Sequence, residues 1–394
     1  MSAPTCPACR ADMDVFLEVD GVPVNSCLLV EDRETALAFP TGDLRLGFCP
    51  ACGFIANTAF DPSRTTYDPS YEETQGFSPR FRQFLADLAE RWVADYDLHG
   101  KDVLEIGCGK GEFLALLAEL GDNRCTGIDP GVAPERLAPP ARGSLTFLRD
   151  VYENHLDLPT DALVCRHTLE HLAPVLDWML LVRGSLGDRT DVPVLFELPD
   201  TLRVLEEGAF WDVYYEHCSY FTPGSLSRLF RRAGFAVKGD WLGYDDQYIL
   251  LEAVPGEVDT ELTEQDRADV AATAAAVERF RATFEATVRR WREELGAEQA
   301  AGRRTVLWGG GSKAVAFLTT LGVADAVSGV VDINPHKQGK AVPGAGHVVL
   351  APEELVADPP DLVVVANPVY LDEVRAMLDG LGLAPHLTSL GGPA

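Results

Sequence analysis

The stretch Val103-Leu104-Glu105-Ile106-Gly107-Cys108-Gly109-Lys110-Gly111 decides how this 394-residue chain is read. A short apolar strand ends beside an acid, and the glycines that follow let the backbone turn sharply and let a ligand approach the main chain before the next helix. A dinucleotide-binding turn spaces its glycines Gly-x-Gly-x-x-Gly and sets a pyrophosphate on the helix N-terminus. Here the glycines alternate and Glu105 stands at the strand end, an arrangement suited to a cationic ligand. The next strand, Thr126-Gly127-Ile128, closes on Asp129, whose carboxylate can accept hydrogen bonds from both hydroxyls of a ribose. Together these features predict an S-adenosylmethionine site made by Glu105, Gly107, Gly109, Gly111 and Asp129. Arg149 and Asp150, further along, are placed to reach the adenine amino group, and His167, just after a strand, to line the same edge.

Outward from this turn the pattern is helix and strand in alternation. Phe81, Phe84, Leu85, Leu88, Trp92 and Val93 recur at helical spacing ahead of the strand. A helix over 112–120, strands over 125–128, 162–165 and 193–197, and a helix from Val175 predict an α/β fold with a mostly parallel, doubly wound sheet. Residues 263–300 read as one long polar helix, capped by Thr263 and followed by Gly302, that joins two globular units. A second α/β unit follows, with strands at 305–308, 327–331 and 362–365 around the loop Gly309-Gly310-Gly311-Ser312-Lys313. The domain reading is 1–75, 76–260, a connecting helix 261–300, and 301–394.

A formal net charge of -28 opposes binding to nucleic acid or to an anionic membrane surface. No run approaches the ~20 apolar residues of a spanning helix, and the first twenty residues lack a basic or apolar leader pattern, so a cytoplasmic protein is expected. The cysteines do not form a disulfide framework. Four of them make two identical pairs, Cys6-Pro7-Ala8-Cys9 and Cys49-Pro50-Ala51-Cys52, whose thiolates can grip opposite sides of a tetrahedral ion. Four sulfur ligands leave no open position for water, so a structural Zn2+ is expected, supporting a segment with little apolar core of its own.

These features, with Tyr214-Tyr215-Glu216-His217-Cys218-Ser219-Tyr220-Phe221, Lys337-Gln338-Gly339 and Pro343-Gly344, resemble the three-domain sugar C-methyltransferases that act on nucleotide-linked keto-deoxysugars in antibiotic biosynthesis. The resemblance covers nearly the whole chain. It implies a class I methyltransferase sheet between a zinc-binding N-terminal domain and a C-terminal Rossmann-like domain. It also implies methylation at a carbon beside a ketone, with the family's catalytic histidine mapping to His217, and with Tyr214 and Glu216 beside it. Tyr215 stands where the family commonly has histidine, and Val24-Asn25-Ser26 where it tends to show Leu-Ala-Asn.

Such a reaction removes a carbon-bound proton and holds an enolate. A histidine, with an ordinary pKa of ~6.5, is a competent base near neutrality. His217 is the expected base, Glu216 an orienting or sugar-binding group, and Tyr214 and Tyr220 donors to the developing oxyanion. Asp200 and Thr201 after the 193–197 strand, and His171, point to the same edge. In the C-terminal unit the glycine loop lacks the last glycine of a dinucleotide turn, so NAD is not expected. Lys313, Asn334, His336, Lys337 and Lys340 form a locally basic set suited to the diphosphate of a nucleotide sugar, and Asn367 and Tyr370 border that cleft. The other functional classes are an O- or N-methyltransferase of a small metabolite and a non-catalytic cofactor-binding protein. A monomer is expected, with no nucleic-acid or membrane partner.

Overall fold

In the computed structural model, which describes residues 3–391, three sheets succeed one another along the chain. The first contains β1 (Asp14–Pro23), β2 (Thr41–Phe48) and β3 (Ile55–Asn57), with the short helix α1 (Arg33–Leu37) between β1 and β2. Helix α2 (Pro79–Asp95) leads to the second. Ser78 caps it by accepting from the Phe81 amide, Pro79 occupies its first turn, and Phe81, Leu85, Leu88, Trp92 and Val93 form its buried stripe.

The second sheet follows as β4 (Asp102–Ile106), α3 (Glu112–Gly121), β5 (Arg124–Ile128), β6 (Ser144–Leu148), β7 (Ala162–Arg166), α4 (Val175–Ser185), β8 (Val194–Pro199) and α5 (Thr201–Glu207). After the two-residue strand β9 (Ser219–Tyr220) come α6 (Pro223–Arg232), β10 (Phe235–Gly243) and β11 (Tyr248–Pro255). The strand order is β10-β11-β8-β7-β4-β5-β6, parallel except at β11, which runs antiparallel to both neighbours. The mostly parallel, doubly wound sheet expected from the sequence is therefore present. The order reverses at β4, with β5 on one side and β7 on the other, so a crevice opens beyond the carboxyl ends of these strands.

The long helix α7 (Glu264–Ala300) starts at a capping box in which Thr263 and Asp266 satisfy one another's amides. Its expected polar character is corrected by the packing. Thr273, Val277, Phe280, Phe284, Val288, Trp291 and Leu295 recur every three or four residues and are buried. The third sheet has β12 (Thr305–Trp308), α8 (Ser312–Leu321), β13 (Gly329–Val331), β14 (Val349–Leu350), β15 (Leu362–Val365), α9 (Leu371–Gly380) and β16 (His386–Ser389). Its order is β14-β13-β12-β15-β16, parallel throughout.

The three units share their interior. One apolar core runs from Phe16 and Leu44 through Phe210 and Trp211, across Phe280 and Trp291 of α7, to Phe317 and Val330. The first sheet also recruits β9 from the middle of the chain, pairing Ile55 with Tyr220 and Ala56 with Ser219. That edge strand holds the Tyr214–Phe221 segment in place. Among the described residues no helix is long and apolar enough to cross a membrane.

Candidate functional site

The two cysteine pairs meet. Each makes the same turn, with the residue after the second cysteine, Arg10 or Gly53, in the left-handed region, and its amide returned to the carbonyl of the first. Cys6 Sγ lies 3.7 Å from Cys52 Sγ and Cys9 Sγ 3.5 Å from Cys49 Sγ. A tetrahedron with metal–sulfur bonds of ~2.3 Å has edges of about 3.8 Å, so the four sulfurs suit a four-coordinate ion. The cluster packs among Leu176, Leu229 and Phe230, and none of its cysteines reaches the cavity described next.

A cavity of about 1110 Å³ lies beyond the carboxyl ends of β4, β5 and β7 and is walled by all three units. It exceeds the roughly 300–1,000 Å³ of a pocket for one small molecule. Gly107, Gly109 and Gly111 all take positive φ, and a Cβ on Gly107 would overlap Thr168, so glycine is required there. Asp129 accepts from Gly109 N (2.9 Å) and Gly131 N (2.6 Å), which fixes its carboxylate while leaving lone pairs for a ligand. Burial raises its pKa. Glu105 is 2% exposed, lines the cavity, and its Oε2 has no hydrogen-bond partner among the described residues. Burial pushes its carboxyl up to about 8, with Arg166 offsetting only part. An orphaned buried acid beneath a glycine turn fits a ligand that brings its own donors or positive charge.

Behind the turn, Arg166 forms a bidentate pair with Glu197 (3.0 and 2.9 Å), and His167 lies 2.8 Å from the same carboxylate. Burial alone would lower the His167 pKa, but Glu170 and Glu197 raise it to about 9, an imidazolium at neutral pH. The strap over residues 67–78 lines the cavity as well, through Tyr67, Tyr71, Glu73 and Phe77. The buried Lys110 ammonium fastens it by donating to the carbonyls of Tyr71 (2.8 Å), Gly131 (3.0 Å) and Pro69 (3.5 Å). Glu73 of the strap faces Gly109, and burial lifts its carboxyl to about 7 against the pull of Lys110.

The Tyr214–Phe221 segment is sorted by the fold. His217 lines the cavity with its ring 4.7 Å from both His171 and Tyr214, and burial together with the neighbouring His171 lowers its pKa to about 3. Tyr67 Oη and the Glu216 carbonyl hold His171 Nδ1 at 3.0 and 3.1 Å. The other three members differ from expectation. Glu216 points away from the cavity, where its buried carboxylate accepts from Asn25 Nδ2, the Ser26 amide and hydroxyl, and Tyr71 Oη. Tyr220 Oη donates to the Tyr214 carbonyl and accepts its amide, bracing the turn. Tyr214 Oη donates to Asp212 (2.7 Å). Both phenols line the cavity with their protons already committed. Asp212, which also binds Arg203 (2.8 Å) and Lys313, is held well below the usual carboxylate range by those cations despite its burial.

In the C-terminal unit Lys313, Asn334 and Lys337 line the cavity, as do Gly309, Gly311, Asn367 and Tyr370. Asp332 accepts from Gly310 N and Asn334 N at 2.8 Å and pairs with Lys337 at 3.3 Å. His336 and Lys340 lie off the cavity wall, and Lys340 faces Glu31. Asp200 is corrected from substrate contact to helix cap, its carboxylate accepting from Leu202 and Arg203 amides of α5. Arg149 turns its guanidinium to the Val132 carbonyl and is off the wall, as is Gly111, while Asp150 lines it but bonds to Asn154 and His155. Tyr67, Tyr71, Glu73 and Asp212 were not anticipated. The density of tyrosines and acids in Tyr67-Asp68-Pro69-Ser70-Tyr71-Glu72-Glu73, like that of 214–221, was the available signal.

Comparison with known proteins gives two family matches: a methyltransferase domain over residues 72–238, and a C-methyltransferase C-terminal domain over 252–381. The chain is 26% identical over 310 residues to the C-methyltransferase NovU of Streptomyces niveus, covering 74% of this chain and 71% of that protein. Among solved structures, magnesium protoporphyrin IX methyltransferase from Synechocystis PCC 6803, with bound SAH, matches at 20% identity and a TM-score of 0.35, covering 45% of this chain and 84% of that one. The dimethyltransferase RosA from Streptomyces davawensis matches at 22% and 0.35, covering 45% and 55%.

Proposed function

We propose, from the two family matches and the likeness to a C-methyltransferase, that the chain is an S-adenosylmethionine-dependent C-methyltransferase that methylates the carbon beside the ketone of a nucleotide-linked keto-deoxysugar, with His217 as the base. One observation carries the reading. Of the polar side chains in the Tyr214–Tyr220 segment that line the cavity, His217 alone has no hydrogen bond among the described residues, while the phenols of Tyr214 and Tyr220 are committed and Ser219 Oγ meets Cys218 Sγ.

S-adenosylmethionine, held by the Gly107–Gly111 turn with Asp129 at its ribose, supplies an electrophilic methyl group when bound. The chain's own groups prepare the acceptor. His217 is unprotonated over the physiological range, so its imidazole takes the proton from the acceptor carbon while the C–H electron pair moves into the enolate. The negative charge developing beside it raises the imidazolium pKa as the proton arrives. Tyr214, its proton held by Asp212, offers its oxygen as an acceptor for a sugar hydroxyl. Lys313, Asn334, Lys337 and the free amides at the start of α8 receive the diphosphate. Cys6, Cys9, Cys49 and Cys52 hold a structural Zn2+ that stabilises the N-terminal unit.

His217→Asn should cut turnover by about 10³-fold while leaving S-adenosylmethionine affinity within twofold, measured by calorimetry. Robust methylation by the variant would remove the base assignment. Without cofactor, the wild-type protein should exchange the acceptor-carbon proton with deuterated solvent, as seen by mass spectrometry. Methylation without such washout would point instead to an oxygen or nitrogen acceptor.

A further inference from the structure

The cofactor end of the cavity gathers more carboxyl groups than the glycine turn requires. Glu73 comes from the strap, not from the sheet, and its Oε1 lies 2.7 Å from where a Cβ on Gly109 would be, directly over the turn. Its Oε2 is shielded from solvent without a hydrogen bond among the described residues, and the nearest cation, Lys110 Nζ, is 3.6 Å away. Lys110 is already engaged with three backbone carbonyls. Below the turn lies the unpartnered, buried Glu105, and beside it Asp129. Arg166 and His167 are matched by Glu197 and Glu170. Three carboxyl groups thus face the turn with one ammonium among them.

We propose that Glu73 is a charge-selecting residue, whose carboxylate favours the sulfonium cation of S-adenosylmethionine over the uncharged thioether of the spent cofactor. The inference rests on the cofactor reading given above. The two molecules share adenine, ribose and amino-acid groups and differ by one methyl and one positive charge at sulfur. A group that only hydrogen-bonds a part the two molecules share treats both alike. A carboxylate in a partly desolvated wall does not, because its Coulomb interaction with a charge a few ångströms away is much stronger than in water. Product is thereby released and fresh cofactor admitted.

The test compares three ligands on the full-length protein by isothermal titration calorimetry: S-adenosylmethionine, S-adenosylhomocysteine, and sinefungin, which carries an ammonium near the sulfonium position. In Glu73→Gln, affinity for the two cationic ligands should fall about tenfold and that for S-adenosylhomocysteine less than twofold. Glu73→Asp, which keeps the charge, should retain most of the preference and exclude a folding defect. Equal weakening of all three ligands would assign Glu73 to a group they share, and no change in any would leave it no role; either overturns the inference. A wild-type protein that binds none of the three would remove the cofactor reading itself, and this inference with it.

Discussion

After β4, Asp129 accepts from Gly109 N and Gly131 N; after β12, Asp332 accepts from Gly310 N and from Asn334 N, again two residues beyond the acid. The two turns use one backbone device, in which the acid ending the neighbouring strand pins a glycine amide and its own following loop. Their surroundings differ. The first turn faces Glu73, Glu105 and Asp129, with its lysine directed mainly to backbone carbonyls, whereas beside the second Lys313 and Lys337 line the cavity wall, each paired with an aspartate, Asp212 and Asp332. Backbone geometry makes the opening in both, and side-chain charge sets which ligand each opening suits.

The largest break in that symmetry comes from glycine itself. Gly107→Val would place a branched side chain on Thr168 at a φ of +67°, and several kcal/mol of overlap and strain are expected. S-adenosylmethionine binding should fall by more than about 100-fold, read by calorimetry alongside thermal unfolding; a nearly normal affinity would mean the turn does not approach the cofactor. A double dissociation should follow at intermediate size. Asp129→Asn should weaken S-adenosylmethionine by roughly tenfold or more without altering binding of a nucleoside diphosphate such as UDP or dTDP, and Lys337→Gln should do the reverse by about fivefold. If both variants weaken both ligands equally, the two turns do not divide the cavity. The smallest effect belongs to Gly310→Ala. Its φ is not in the left-handed region and an added Cβ meets its nearest atom at 3.3 Å, so less than about 1 kcal/mol of stability should be lost.

The contrast also explains what could be read in advance. Strands β4, β12 and β15 and the glycine spacing were legible because each is a contiguous pattern with a fixed period. Helix α7 looked polar because its buried residues come about one per turn among charges, so a regional average hides the stripe. Irregular loops carry no period. Nothing in Tyr214–Tyr220 says that Glu216 faces Asn25 and Ser26, or that Asp212 accepts a hydrogen bond from the Tyr214 hydroxyl, since these partners are 190 and 191 residues away in one case and two in the other. The strap bearing Glu73 was counted with the N-terminal unit for the same reason, although Lys110 fastens it to the cofactor turn.

The strand Ser219–Tyr220 pairs with Ile55 and Ala56, which follow directly on the Cys49–Cys52 turn. The segment bearing His217, from the middle of the chain, is therefore completed against a strand of the N-terminal unit. During synthesis that strand leaves the ribosome first, and residues 214–221 dock onto an edge already prepared for them. That edge is itself held by pairing with β2, so assembly of the N-terminal sheet precedes completion of the segment that carries His217.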